Sequence, residues 1–230
     1  MISKKWFAGA LMMALALPFA ANAQTQPSAK ATGKTSNITL IPATKATSDW
    51  QTVLTNKIKT SAQKDLFIGA SFEVGLYTRT LVKSKLMTSD TSMARGEIQV
   101  RVLIDGKEAQ PGEVVFARRS QTLSATLEGA IASCLSVVTN ADGTQSVVLD
   151  PACVTPEAID LILDTMDAAT FNFIAPDVSV GTHTVSVQAR VDTTGSAEQG
   201  SYEATATVGK GSMTVESVRL IRNEDVVDVP

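Results

Sequence analysis

Hydrophobic residues fall on every second position through much of the chain. Leu66, Ile68, Ala70, Phe72, Val74 and Leu76 do so, with Ser71 and Glu73 between some of them, which is the period of a strand that buries one face. Ala94, Ile98, Val100, Val102 and Ile104 repeat the pattern against Arg95, Glu97, Gln99 and Arg101, and the run ends in an Asp105-Gly106 turn. Both segments predict long antiparallel strands. A first strand is predicted at 50–61 and shorter ones at 113–117, 121–127, 170–174, 183–191, 202–208 and 212–221. Pro111-Gly112, Gly181, Gly195, Gly200 and Gly209-Lys210-Gly211 punctuate them. Short strands spaced by roughly ten residues predict an all-β antiparallel sandwich or jelly roll.

One segment reads differently. Thr155 suits a helix N-cap, and Pro156 and Glu157 suit a first turn with free N–H groups at a positive dipole end. At 100° per residue, Ala158, Ile159, Ile162, Leu163 and Met166 gather on one side, and Glu157, Asp160, Asp164 and Asp167 on the other. The pattern predicts one short amphipathic helix laid on the sandwich. Its acidic stripe is a candidate cation-binding or partner-binding face, although such a stripe is ordinarily the wet side of a helix.

The chain opens with processing information. Lys4 and Lys5 form a positive n-region, Trp6 to Leu17 an apolar stretch, and Ala21-Asn22-Ala23 the small-x-small cleavage pattern. Residues 1–23 are therefore expected to be a signal peptide, cut between Ala23 and Gln24, and the protein to be secreted or periplasmic. No other run approaches the ~20 apolar residues needed to span a bilayer. Residues 24–49, rich in Thr, Ser, Ala and Lys, predict a flexible leader, residues 50–222 the sandwich domain, and 223–230 a C-terminal tail. Asn37-Ile38-Thr39 matches a short glycosylation pattern.

Composition narrows the chemistry. The 230 residues carry 20 Lys and Arg against 23 Asp and Glu, a net charge of -3. Removing Lys4 and Lys5 leaves 18 against 23, or -5, so no basic surplus exists to neutralise a nucleic-acid backbone. One histidine and two cysteines do not supply a four-ligand zinc site of the common type, and no cofactor or metal is expected. In an oxidising compartment Cys134 and Cys153 are expected to form a disulfide. Between them, two apolar runs flank Asn140-Ala141-Asp142-Gly143, so the bridge would pin the base of a hairpin.

A resemblance adds to this reading. The segment PDVSVGTHTVSVQARV at 176–191, followed by ATATVGKGSMTVE at 204–216, resembles the closing strands of C1q/TNF-like jelly-roll modules in bacterial secreted and phage proteins. The region 55–80 is compatible with their opening strands, so the likeness spans about residues 50–222. It implies a trimeric binding or structural head and brings no catalytic residues. The leader lacks the Gly-X-Y repeat of the collagen-stalked animal members.

Catalysis has few candidates. His183 is the only imidazole and lies in phase with Val185, Val187, Ala189 and Val191, which predicts a packed or rim histidine ahead of a catalytic base. No G-x-S-x-G elbow accompanies it. Gly209-Lys210-Gly211 lacks the spacing of a phosphate loop, Asn140 to Gly143 lacks the later oxygens of a calcium loop, and Arg118-Arg119 is a small basic spot expected to be solvated or salt-bridged. The reading is a secreted, non-enzymatic structural or binding module that is expected to self-associate as a homotrimer and to meet a cell-surface or glycan ligand. A glycan-binding lectin is the alternative, and a carboxylate-dependent glycosidase the second; the small aromatic supply of Trp50, Tyr77 and Tyr202 besides five Phe in the mature chain weakens the latter.

Overall fold

The computed structural model describes residues 31–37, 47–131 and 133–220. These residues form eleven strands and no helix. In chain order the strands are β1 (Ala31–Ser36), β2 (Gln51–Thr60), β3 (Lys64–Ser84), β4 (Thr88–Ile104), β5 (Lys107–Glu108), β6 (Val114–Leu127), β7 (Leu135–Thr139), β8 (Gln145–Leu149), β9 (Glu157–Val178), β10 (Gly181–Ala197) and β11 (Ser201–Val218). One sheet has the order β1-β11-β3-β9. The other runs β2-β10-β4, with β5 and β6 both paired to β4, and β7 and β8 form a separate two-stranded ribbon. Every strand pairing is antiparallel.

The alternation read from the sequence sets which face of each sheet is buried. Ile68, Ala70 and Val74 of β3 meet Val100, Val102, Val185 and Val187 of the opposite sheet in one apolar cluster, joined by Phe173 from β9. Burying aliphatic side chains of this size contributes roughly 1.5–3 kcal/mol each before the entropy of ordering them is counted. Toward the other end of the same strands the inward positions turn polar. Thr78, Thr80 and Ser84 of β3, Asp90 and Ser92 of β4, Gln121 of β6 and Thr193 of β10 are buried there.

Three expectations change. The segment expected to be an amphipathic helix is instead the first half of β9, paired residue for residue with β3 from Glu157–Ser84 to Thr170–Ser71. Its sequence satisfies both periods, since Ile159, Leu161 and Leu163 also alternate with Asp160, Ile162 and Asp164. Pairing with the 21-residue β3 satisfies a long row of backbone groups, and that tertiary gain overrides a local helical preference. Second, strands expected to be separate are continuous. The strand expected at 170–174 is the continuation of β9, and β6 runs through Arg118-Arg119-Ser120 as a half-exposed strand. β11 carries a bulge between Val208 and Gly211, where a Cβ on Gly211 would lie 2.1 Å from the Phe72 ring, so the glycine permits close approach without ending the strand. Third, the expected leader contributes β1, which pairs Ala31–Ser36 with β11. The signal peptide, its Ala23–Gln24 junction, the rest of the leader at 24–30 and 38–46, and the C-terminal tail lie outside the described residues.

Candidate assembly surface

Strand alternation redistributes the four carboxylates that helical geometry had placed on one stripe. Partners in an antiparallel ladder share a face. Leu161 pairs with Thr80 and Leu163 with Thr78, both buried, so odd-numbered residues of β9 face the inter-sheet space. Glu157 and Asp167 therefore point inward, and Asp160 and Asp164 outward. Each has a local partner where one is observed. Asp160 accepts from Arg79, with Nε 3.0 Å from both carboxylate oxygens and Nη2 2.6 Å from Oδ2, and that guanidinium holds the Asp160 carboxyl below the usual range. Glu157 accepts from the Gly129 N–H at 3.3 Å, and Asp167 from its neighbour Ala168 at 2.7 Å. The four do not converge, and among the described residues no group of three or more His, Cys, Asp or Glu is placed to hold a metal ion.

β9 is also the edge of its sheet. Ile174 exchanges both backbone hydrogen bonds with Gln110, at 2.8 and 2.9 Å, on the side away from β3. Since successive residues of an antiparallel strand alternate in direction, even-numbered residues turn their N–H and C=O groups to that outer side. Among the described residues no strand pairs with Ala158, Asp160, Ile162 and Asp164 there. Between its carboxylates this stretch exposes large apolar side chains: Ile162 at 53%, Met166 at 69% and Leu163 at 42%. A long open edge that also exposes apolar side chains is a site for further strand pairing.

The strand is nevertheless fixed in place from behind. Gln121 of β6 donates from Nε2 to the Leu161 carbonyl at 2.8 Å and to Thr80 Oγ1 at 2.6 Å, and accepts from Thr78 Oγ1 at 2.8 Å. Arg119, from the basic pair, donates to the Leu76 carbonyl at 3.0 Å and also to the Thr165 hydroxyl. These bonds tie the two sheets at their β6 and β9 margins, so Arg119 is a tie between sheets.

Next to this edge in the chain, β7 and β8 project as a ribbon closed by the expected disulfide, Cys134–Cys153, whose Cα atoms are 5.4 Å apart. Closing a loop of this length stabilises by about 3 kcal/mol on the chain-entropy account. Asp142 accepts from the Thr144 N–H at 3.0 Å and hydroxyl at 2.6 Å, which closes the tip as the turn that the sequence predicts. The ribbon also exposes apolar side chains, with Val137 at 65% and Val147 at 66%.

The remaining candidates are structural in their surroundings. His183 is buried on β10, with Nδ1 2.7 Å from Asp105 Oδ2 and Nε2 2.8 Å from the Ser179 carbonyl oxygen, so it clasps the turn after β4 to the turn before β10. Burial pushes the Asp105 carboxyl up, but hydrogen bonds from the Thr184 N–H and from His183 outweigh it and hold the carboxyl low. On the outer face of the β2-β10-β4 sheet, Arg101 and Arg190 lie 4.3 and 4.6 Å from the centre of the Trp50 ring. This aromatic–guanidinium cluster was not foreseen as a unit. Its signal is the alternation that puts Arg101 and Arg190 on the polar faces of two strands that the structure pairs.

No protein-family model and no curated protein matches this chain.

Proposed function

We propose that the chain is an exported, non-enzymatic structural or binding module that works in a self-associated form, built on a C1q/TNF-like jelly-roll version of the antiparallel sandwich. The observation that carries the reading is the first half of β9, an edge strand with exposed Ile162, Leu163 and Met166 and outward backbone groups that no described strand pairs. An open edge templates pairing with another chain, and of the outward carboxylates on this one Asp160 is already held by Arg79. The export signal and the disulfide expected from the sequence fit a secreted or periplasmic module stapled for an oxidising compartment.

The glycan-binding alternative has less to stand on. Its best aromatic platform, Trp50, is engaged by two arginines of its own sheet.

Size-exclusion chromatography with light scattering on the mature protein tests self-association. The expected particle is at least twice the mass of the mature chain. A strictly monomeric particle across the micromolar range would sink the reading.

A further inference from the structure

The open edge of β9 also specifies its own partner. We propose that it pairs with β9 of a second copy of this chain about a two-fold axis through Leu161, joining two four-stranded sheets into one. The inference rests on the self-association proposed above and names its surface, its symmetry and its register.

An isologous contact requires a surface complementary to itself. For two antiparallel copies of β9 related by an axis perpendicular to the sheet, paired residue numbers have a constant, even sum, so inward residues meet inward ones. With Leu161 opposite Leu161, Ile159 meets Leu163 of the second copy, so the centre of the inner face pairs aliphatic with aliphatic, and Glu157 meets Thr165 beyond it. On the outer face Asp160 then meets Ile162 and Ala158 meets Asp164, so no two carboxylates stand opposite each other.

The neighbouring registers fail this test. Centring on Ile162 sets Asp160 against Asp164 and Glu157 against Asp167, and centring on Asp160 sets that residue against itself; like charges directly opposite are destabilising. Centring on Leu163 avoids that clash but places Ile159 against Asp167 and Leu161 against Thr165.

The backbone agrees with the chosen register. Ala158, Asp160, Ile162 and Asp164 have their N–H and C=O groups turned outward, and in this register they are one another's partners. Each such pair exchanges two hydrogen bonds, so the ladder would hold about eight. It stops at Pro156, which has no N–H to give. Leu161 falls in a non-hydrogen-bonded pair, where Cα atoms approach to about 4.5 Å. Asp160 and Asp164 of the two copies remain diagonal neighbours, each Asp160 already bound by Arg79. Screening of that residual repulsion predicts association that strengthens with added salt, whereas a cationic foreign strand on this acidic edge would be weakened by it.

Cysteine substitution reads the register directly. Under mild oxidation Leu161→Cys is expected to give a dimer that reductant reverses, because the axis brings the two thiols within disulfide reach. Leu163→Cys is expected to stay uncrosslinked, its copies lying about 14 Å apart, four residues along the strand. Leu161→Lys, with far-UV circular dichroism unchanged, should weaken association by about a hundredfold or more, since it buries two like charges at the axis. A cross-link from Leu163→Cys in place of Leu161→Cys overturns the register. An oligomer that neither cysteine cross-links and that Leu161→Lys leaves intact overturns the edge contact while the self-association reading stands. A monomer at all concentrations overturns both.

Discussion

The two ends of β9 face different interiors. At its C-terminal end Phe173 is fully buried, opposite Ile68 of β3 and 5.2 Å from the Phe171 ring, within the apolar cluster. At its N-terminal end Leu161 and Leu163 lie opposite Thr80 and Thr78, and a glutamine from β6 fills the space behind them. Apolar burial is non-directional and grips wherever surfaces meet. A buried polar cluster grips only where each donor finds its acceptor, and an unmade bond there costs about 1–3 kcal/mol. The contrast explains why one end of the strand disappears into the core while the other keeps aliphatic side chains at the margin. One end supplies stability; the other holds a surface in position.

Phe173→Ala probes the apolar end and carries the largest expected effect. Removing a fully buried aromatic side chain should cost about 3–5 kcal/mol, read as a lower urea midpoint at unchanged slope. A loss below about 1 kcal/mol would mean that the cluster does not hold this end together.

The polar end should answer instead to acid. Asp90 is buried near the start of β4. Burial pushes its carboxyl up, but the N–H groups of Lys83 at 2.6 Å and Gln199 at 3.0 Å, with those of Thr91 and Gly200, outweigh burial and hold it low. Close packing supports the arrangement, since a Cβ on Gly200 would fall 1.7 Å from the Leu81 carbonyl oxygen. A carboxyl whose folded pKa is depressed contributes stability that is fully present above its unfolded value, about 3.9, and is lost as pH falls through the folded one. Asp90→Asn is expected to cost about 1–3 kcal/mol at neutral pH and to flatten the fall of stability in acid below about pH 4. An unchanged acid profile would show that Asp90 does not govern this end.

The same contrast explains what the sequence disclosed. Where the core is apolar, alternation alone marked the strands, as in Leu66 to Leu76 and His183 to Val191. The Cys134–Cys153 pair and the turn at Asp142 were legible because their signals are local. The first half of β9 was not. With carboxylates and aliphatic residues spaced to suit both periods and a polar lining opposite, its composition fits a helix as well as a strand, and the partner that decides between them, β3, is about eighty residues away. The same misreading hid the edge, because carboxylates at 157, 160, 164 and 167 form a stripe at 100° per residue and split between faces at 180°. The ties made by Gln121 and Arg119 depend on the meeting of β6 with β9, which no local pattern encodes.

The smallest expected effect separates the surface from the fold. Ile162 is exposed on the outer face opposite Arg79, so Ile162→Thr, which keeps a β-branched strand former, should change the unfolding free energy of the dilute chain by no more than about 0.5 kcal/mol. Its effect should emerge as concentration rises, because in the paired edge Ile162 stands beside Asp160 of the second copy, and the wild-type melting temperature should climb with concentration more steeply than that of the variant. A dilute-chain loss above about 2 kcal/mol would mean that Ile162 is packed within a single chain. In that case the N-terminal half of β9 would belong to the stability of the sandwich, as its C-terminal half does, and the difference between the two ends would be one of degree.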